Sequence, residues 1–126
     1  MRLKPVLTLI ALLLFAPLGA EAASHATYQS LWDGVAGNCR KETHPDLVLF
    51  YCERRASIWY FTQPGTAAHP GVIERKIVQT ANGGINIKHT GWSFGPNSTQ
   101  SAFKALMASI RALDKDIIED MKRNAN

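Results

Sequence analysis

The residues of this 126-residue chain with chemistry to offer are four histidines, two cysteines and a few carboxylates. His44, His69 and His89 share no metal-ligand spacing. His69 is of the residue type that serves as a general base, yet no Ser or Cys sits in a frame such as Gly-x-Ser-x-Gly to be activated by it. Glu53 and Glu74, single acids at strand ends, read as solvated surface. Arg54 and Arg55 are side by side where two strands must turn; that pair would clamp an anion, or simply face water as turn residues do. Cys39 and Cys52 form no Cys-x-x-Cys, so redox chemistry is a poor reading. An even count in an exported chain points to one structural disulfide. The bridge would close a loop of about 14 residues and contribute about 3 kcal/mol through loop entropy.

The stretch WYFTQPGTAAHPGVIERK, residues 59 to 76, places the one conspicuous histidine between two Pro-Gly pairs. Pro64-Gly65 and Pro70-Gly71 each suit a type II turn, with Pro fixing φ and Gly accepting φ > 0. His69 precedes a proline and is pushed toward extended backbone. The segment is therefore a stiff loop, at about nine residues longer than most hairpin connections. Stiffness lowers the entropy lost on binding, which serves recognition, and it equally stabilises a connector. As a recognition surface the loop offers Pro64, His69 and Pro70, with Trp59 and Trp92 as neighbouring aromatic anchors.

The ends of the chain bear on where it works. Arg2 and Lys4, then an apolar run from Val6 to Phe15, then Ala20-Glu21-Ala22 have the layout of an export signal with cleavage after Ala22. The run is shorter than the about 20 residues a spanning helix needs, so residues 1–22 are expected to leave and 23–126 to form one domain with no integral membrane segment. About 104 residues bury one core and no more. Without the signal the chain keeps 12 basic and 9 acidic residues, dispersed rather than in a run, which argues against nucleic acid as a partner. Cleavage after Ala22 would expose Ala23-Ser24-His25, and an amine, two amides and the His25 imidazole can hold Cu(II) in a square plane. No other cofactor is expected.

Behind these residues stands a coherent set of elements. Tyr28, Leu31, Trp32 and Val35 mark one face of a short helix, capped by Thr27 and ended by Gly37-Asn38. LVLFYCE (47–53), SIWYFT (57–62), residues 72–80 and INIKHT (85–90) read as four strands, the last two joined at Asn82-Gly83-Gly84. Phe103, Leu106, Met107, Ile110, Leu113, Ile117 and Met121 form a continuous stripe on a long final helix, read as core throughout. Asn97 with Gln100 resembles a capping box, and this role is preferred to glycosylation at the same Asn-Ser-Thr. The expectation is an α+β domain: a short helix, a four-stranded antiparallel meander and a long helix across one sheet face. Strands 47–53 and 57–62 are apolar on both sides, so the second face also needs a cover. The short helix, held near by Cys39–Cys52, is the preferred cover, leaving the far end open around Tyr51, Trp59 or Phe61; a partner protein or a second copy is the alternative.

At WYFT followed by AHPGV, and at GW followed by AFKALM, the last two-thirds of the chain resembles small exported proteins of proteobacteria. The resemblance implies an exported single domain and carries no activity. Taken together, the sequence points to a non-enzymatic periplasmic or secreted protein that acts by protein–protein contact, as an inhibitor, immunity protein or envelope accessory factor. Its partner would be another envelope or secreted protein, or a second copy in a homodimer. A metal or small-ligand binder using His25 or His69 is the alternative, and a small hydrolase the third reading.

Overall fold

The computed structural model describes residues 25–125. The expected export signal, and Ala23 and Ser24 of the Ala-Ser-His motif, lie outside them. The elements run α1 (Tyr28–Ala36), β1 (Arg40–Thr43), β2 (Leu47–Cys52), a 3-10 turn (Glu53–Arg55), β3 (Ser57–Thr62), β4 (Gly71–Gln79), β5 (Ile85–Ser93) and α2 (Asn97–Ala125). The class is α+β as expected, but the antiparallel meander has five strands in the order β1-β2-β3-β4-β5. The unforeseen strand is Arg-Lys-Glu-Thr. It pairs only with β2, and three of its four residues are exposed, so it shows neither apolar content nor alternation.

Local chemistry explains where the elements start and stop. Thr27 caps α1 through a reciprocal box: the Ser30 amide donates to the Thr27 hydroxyl, and the Thr27 amide to the Ser30 hydroxyl. At the turn after β2, Ala56 takes the left-handed conformation and its amide closes on Glu53. Gly83, with φ of 84°, supplies the left-handed residue of the β4–β5 hairpin, which fixes Gln79 opposite Ile85. The box expected at Asn97 is absent. Gln100 donates to the Ser93 hydroxyl and the Gly95 carbonyl instead, tying the first turn of α2 to the end of β5.

Strand alternation divides the core in two. Val48, Phe50, Cys52, Trp59, Phe61 and Val72 point to one face, where α1 seals them with Trp32 and Val35. Trp32 stands edge-on to Phe50 and Phe61, at 4.9 and 5.2 Å between centroids. The Cys39–Cys52 disulfide is formed, and it joins the chain just after α1 to the end of β2. On the other face Phe103 and Ile110 of α2 pack with Ile73 and Ala68. Two glycines let α2 down onto the sheet. A β-carbon on Gly71 would sit 2.6 Å from the Phe103 ring, and one on Gly91 would collide with Met107 and Phe103.

The seven-residue stripe is core only in its first half. Leu113, Ile117 and Met121 are 58, 38 and 51 % exposed. Its later turns still follow β5, with Ile118, Met121 and Lys122 beside residues 83–87. The side they turn to the sheet does not include Leu113 and Ile117, and at position 114 the residue in phase with Phe103, Met107 and Ile110 is an aspartate.

Candidate functional site

Loop 63–70 is anchored inward by Thr62, which is buried at the end of β3. The Gly71 amide donates to the Thr62 hydroxyl at 2.8 Å, and the Tyr28 hydroxyl donates to the Thr62 carbonyl at 2.6 Å. His69 Nδ1 lies 2.9 Å from that hydroxyl and 3.0 Å from that carbonyl. A carbonyl only accepts, so His69 carries its hydrogen on Nδ1 and donates it. The Tyr28 ring stands edge-on to His69 at 5.1 Å. Burial raises the Tyr28 pKa above its ordinary 10.0, which keeps the hydroxyl a donor. His69 thus fastens β3, the loop and α1 together. Pro64-Gly65 keeps the expected turn, with Gly65 at φ of 89°. Pro70-Gly71 does not: the His69–Pro70 peptide is cis, and Gly71 opens β4 without positive φ.

The proposed aromatic anchors are likewise turned inward. Trp59 is 7 % exposed and stacks on half-buried Trp92 at 5.6 Å, under the α1 side of the sheet. Trp59 therefore has too little free surface to anchor a partner; β3 alternation sends it to the sealed face, along with Phe61. Of the three residues expected at an open end, only Tyr51 lies on the other face, half-buried. Pro64 is exposed and Pro70 half-buried.

What the fold leaves open is a groove. α2 lies over β4 and β5, and the β2–β3 half of the same face keeps Leu47, Leu49, Tyr51, Ile58 and Tyr60 only half-buried. Leu106, Leu113 and Ile117 lie within about 40° of one line on the flank of α2 toward that half. At one end, residues Gly65 to Ala68 of the loop, with Leu47 and Leu106, enclose a hollow of about 470 Å³. A separate hollow of about 290 Å³, lined by Ile85, Ile118, Met121 and Lys122, lies beside the hairpin tip. The loop so conspicuous in the sequence forms one end wall of this groove.

Beneath α2 lies a charged cluster that residue spacing did not disclose. Asp114, 3 % exposed, accepts from Arg75 Nε at 2.6 Å with one oxygen and faces His89 Nε2 at 2.6 Å with the other. Arg75 and His89 are register partners on β4 and β5. Tyr60 completes the surroundings; its pKa is raised, by burial first and by the Asp114 charge, against a lowering by Arg75. A carboxylate–imidazole pair is two-thirds of a hydrolytic triad. The cleft of about 410 Å³ beside it is lined by Asn86, Ile87, Ile118 and charged residues, with no Ser, Thr or Cys to act as nucleophile. The cluster clamps α2 to the sheet. Its signal in the sequence is a pair of polar residues, Arg75 and His89, which the hairpin register brings together on a face the helix must cover.

The other candidates stand apart. Arg54 and Arg55 are exposed beside the disulfide and the C-terminal end of α1, whose carbonyls do not favour an anion. His44 faces Glu42 at 2.6 Å, and this contact holds the Glu42 carboxyl below its ordinary range. His25 is exposed. Among the described residues no group of three or more His, Cys, Asp or Glu is placed to hold a metal, and no helix is long and apolar enough to cross a membrane. No protein family, curated protein or solved structure matches the chain. The functional reading therefore rests on this molecule's own surface.

Proposed function

We propose that the chain is a small exported binding protein without enzymatic activity, working by protein–protein contact in the periplasm or outside the cell, as an inhibitor, immunity protein or envelope accessory factor. The observation that carries this reading is the apolar groove between α2 and the uncovered β2–β3 half of the sheet. Exposed apolar side chains are ordinary singly, but a contiguous set rimmed by polar residues marks a contact surface. Tyr51 and Tyr60 on its floor are the side-chain type that anchors such contacts. The disulfide suits an oxidising compartment, and we place the protein in the periplasm, with secretion as the alternative.

The test immobilises the mature, oxidised protein and exposes it to envelope and secreted fractions of its host, beside the variant Leu113→Ser/Ile117→Ser. The expected result is a stoichiometric partner retained by the wild type and lost by the variant. Because both positions are exposed, the variant should unfold within a few degrees of the wild type. Sedimentation of the wild type alone identifies a second copy as the partner if the self-association disappears in the variant. A partner held equally by both proteins would remove the groove from the contact.

A further inference from the structure

The two edges of the sheet are protected very unequally. β1 is four residues long and carries Arg40, Lys41 and Glu42, which is how natural sheets blunt an edge. β5 is nine residues long, with Lys88 its one Lys, Arg, Asp or Glu and no proline. Its ladder register follows from two hydrogen bonds that bracket the hairpin, Thr80 N–H to the Gly84 carbonyl and Phe94 N–H to the Pro70 carbonyl. With the alternation of an antiparallel ladder, Asn86, Lys88, Thr90 and Trp92 bond to β4, while Ile85, Ile87, His89, Gly91 and Ser93 direct their N–H and C=O groups outward.

Above this edge α2 presents a run of cations. Lys104, Arg111, Lys115 and Lys122 lie within about 40° of one line on the helix, on the flank opposite the apolar groove. Arg111, Lys115 and Lys122 enter the same cleft as Asn86, Ile87 and His89 of β5. Among the described residues none of the three makes an ion pair, and Asp114 is already committed to Arg75 and His89. Glu119 alone offsets them in the cleft.

We infer that the open edge of β5 takes an extended acidic peptide strand from a partner protein, bonded to the outward main chain of Ile87, His89 and Gly91, with its acid side chains against Arg111, Lys115 and Lys122. Directly paired residues of neighbouring strands share a sheet face, so acids opposite Ile87, His89 and Gly91 lie on the α2 side. Acids at i, i+2 and i+4 span about 13 Å along a strand, comparable to the about 16 Å from Arg111 to Lys122 along the helix. Main-chain bonds supply affinity in strand addition, and the alternate side chains supply selectivity. This surface is independent of the apolar groove, and either one can fail without the other.

The probe is a blocked nine-residue peptide alternating glutamate with valine, titrated by fluorescence anisotropy into the mature, oxidised protein. Comparison peptides have lysine for glutamate, or the same composition with the glutamates clustered. The expected result is binding of the alternating peptide alone, with slowed amide exchange at Ile87, His89 and Gly91. Lys115→Glu/Lys122→Glu should weaken it about tenfold or more, since both residues are exposed and the fold is untouched. Ile87→Pro removes an outward donor, a substitution an edge strand tolerates, and should abolish binding with the sheet signal in circular dichroism retained. Equal binding of the clustered peptide, or binding without amide protection, would reduce the surface to a general anion patch and overturn the strand. Absence of binding at about 1 mM peptide would overturn the inference outright.

Discussion

Both faces of the sheet carry apolar side chains, but the helices laid over them finish the task to different degrees. On the α1 side a helix of nine residues, wide in its aromatic side chains and held by a disulfide, closes over Phe50, Phe61 and Val72, all fully buried. On the α2 side a helix three times as long lies mainly over β4 and β5 and leaves the other half-sheet half-buried. Coverage depends on where a helix crosses and on what its side chains meet, not on its length. The sealed face gives the domain its stability, and the half-open face has surface left for a partner.

Several substitutions separate these two roles. The largest effect belongs to the sealed face: Phe61→Ala empties a site surrounded by Trp32, Tyr28, Phe50 and Trp59 and should cost about 4 kcal/mol in denaturant unfolding. Next comes the clamp. Asp114→Ala leaves Arg75 and His89 without their shared carboxylate and should cost about 3 kcal/mol. A loss below 1 kcal/mol there would mean that α2 is held by its apolar contacts alone. His69→Ala removes the donor that ties the loop to Thr62 and should cost about 1–2 kcal/mol, where a freely displayed loop residue would cost almost nothing. The smallest effect is alkaline. Burial raises the pKa of both Tyr28 and Tyr60, so the native state holds their protons longer than the unfolded chain does. Stability is then complete below pH 10 and falls as pH rises through the native values; Tyr60→Phe should flatten that decline in a pH series of unfolding midpoints.

How far the sequence discloses this arrangement varies by element. The aromatic strands, the Asn82-Gly83 hairpin and the capped first helix are legible because each follows from local propensity or turn chemistry. β1 is not, since an exposed edge strand needs no apolar residue to hold its place. The stripe on α2 misleads because periodicity reports which residues share a helix side, and says nothing of which part of that side the sheet meets. Leu113 and Ile117 keep the period and lose the cover. The same limit hid the clamp: Asp114 interrupts the apolar phase set by Phe103 and Ile110, and its meaning appears only when β4–β5 register brings Arg75 and His89 under it. For the loop, proline and glycine forecast stiffness correctly but not direction. His69 faces the core because Thr62 and Tyr28, far away in sequence or on another element, supply its partners.

The two glycines under α2 carry a consequence for the history of the chain. Where a helix rests on bare backbone, positions on opposite sides of the contact are no longer free to change one at a time. A Gly91→Ala replacement has to be matched by a shorter residue than Met107, and a side chain at Gly71 by the retreat of Phe103. Among homologues, positions 71 and 91 should therefore vary in step with 103 and 107, while the exposed Leu113 and Ile117 should vary in step with a partner.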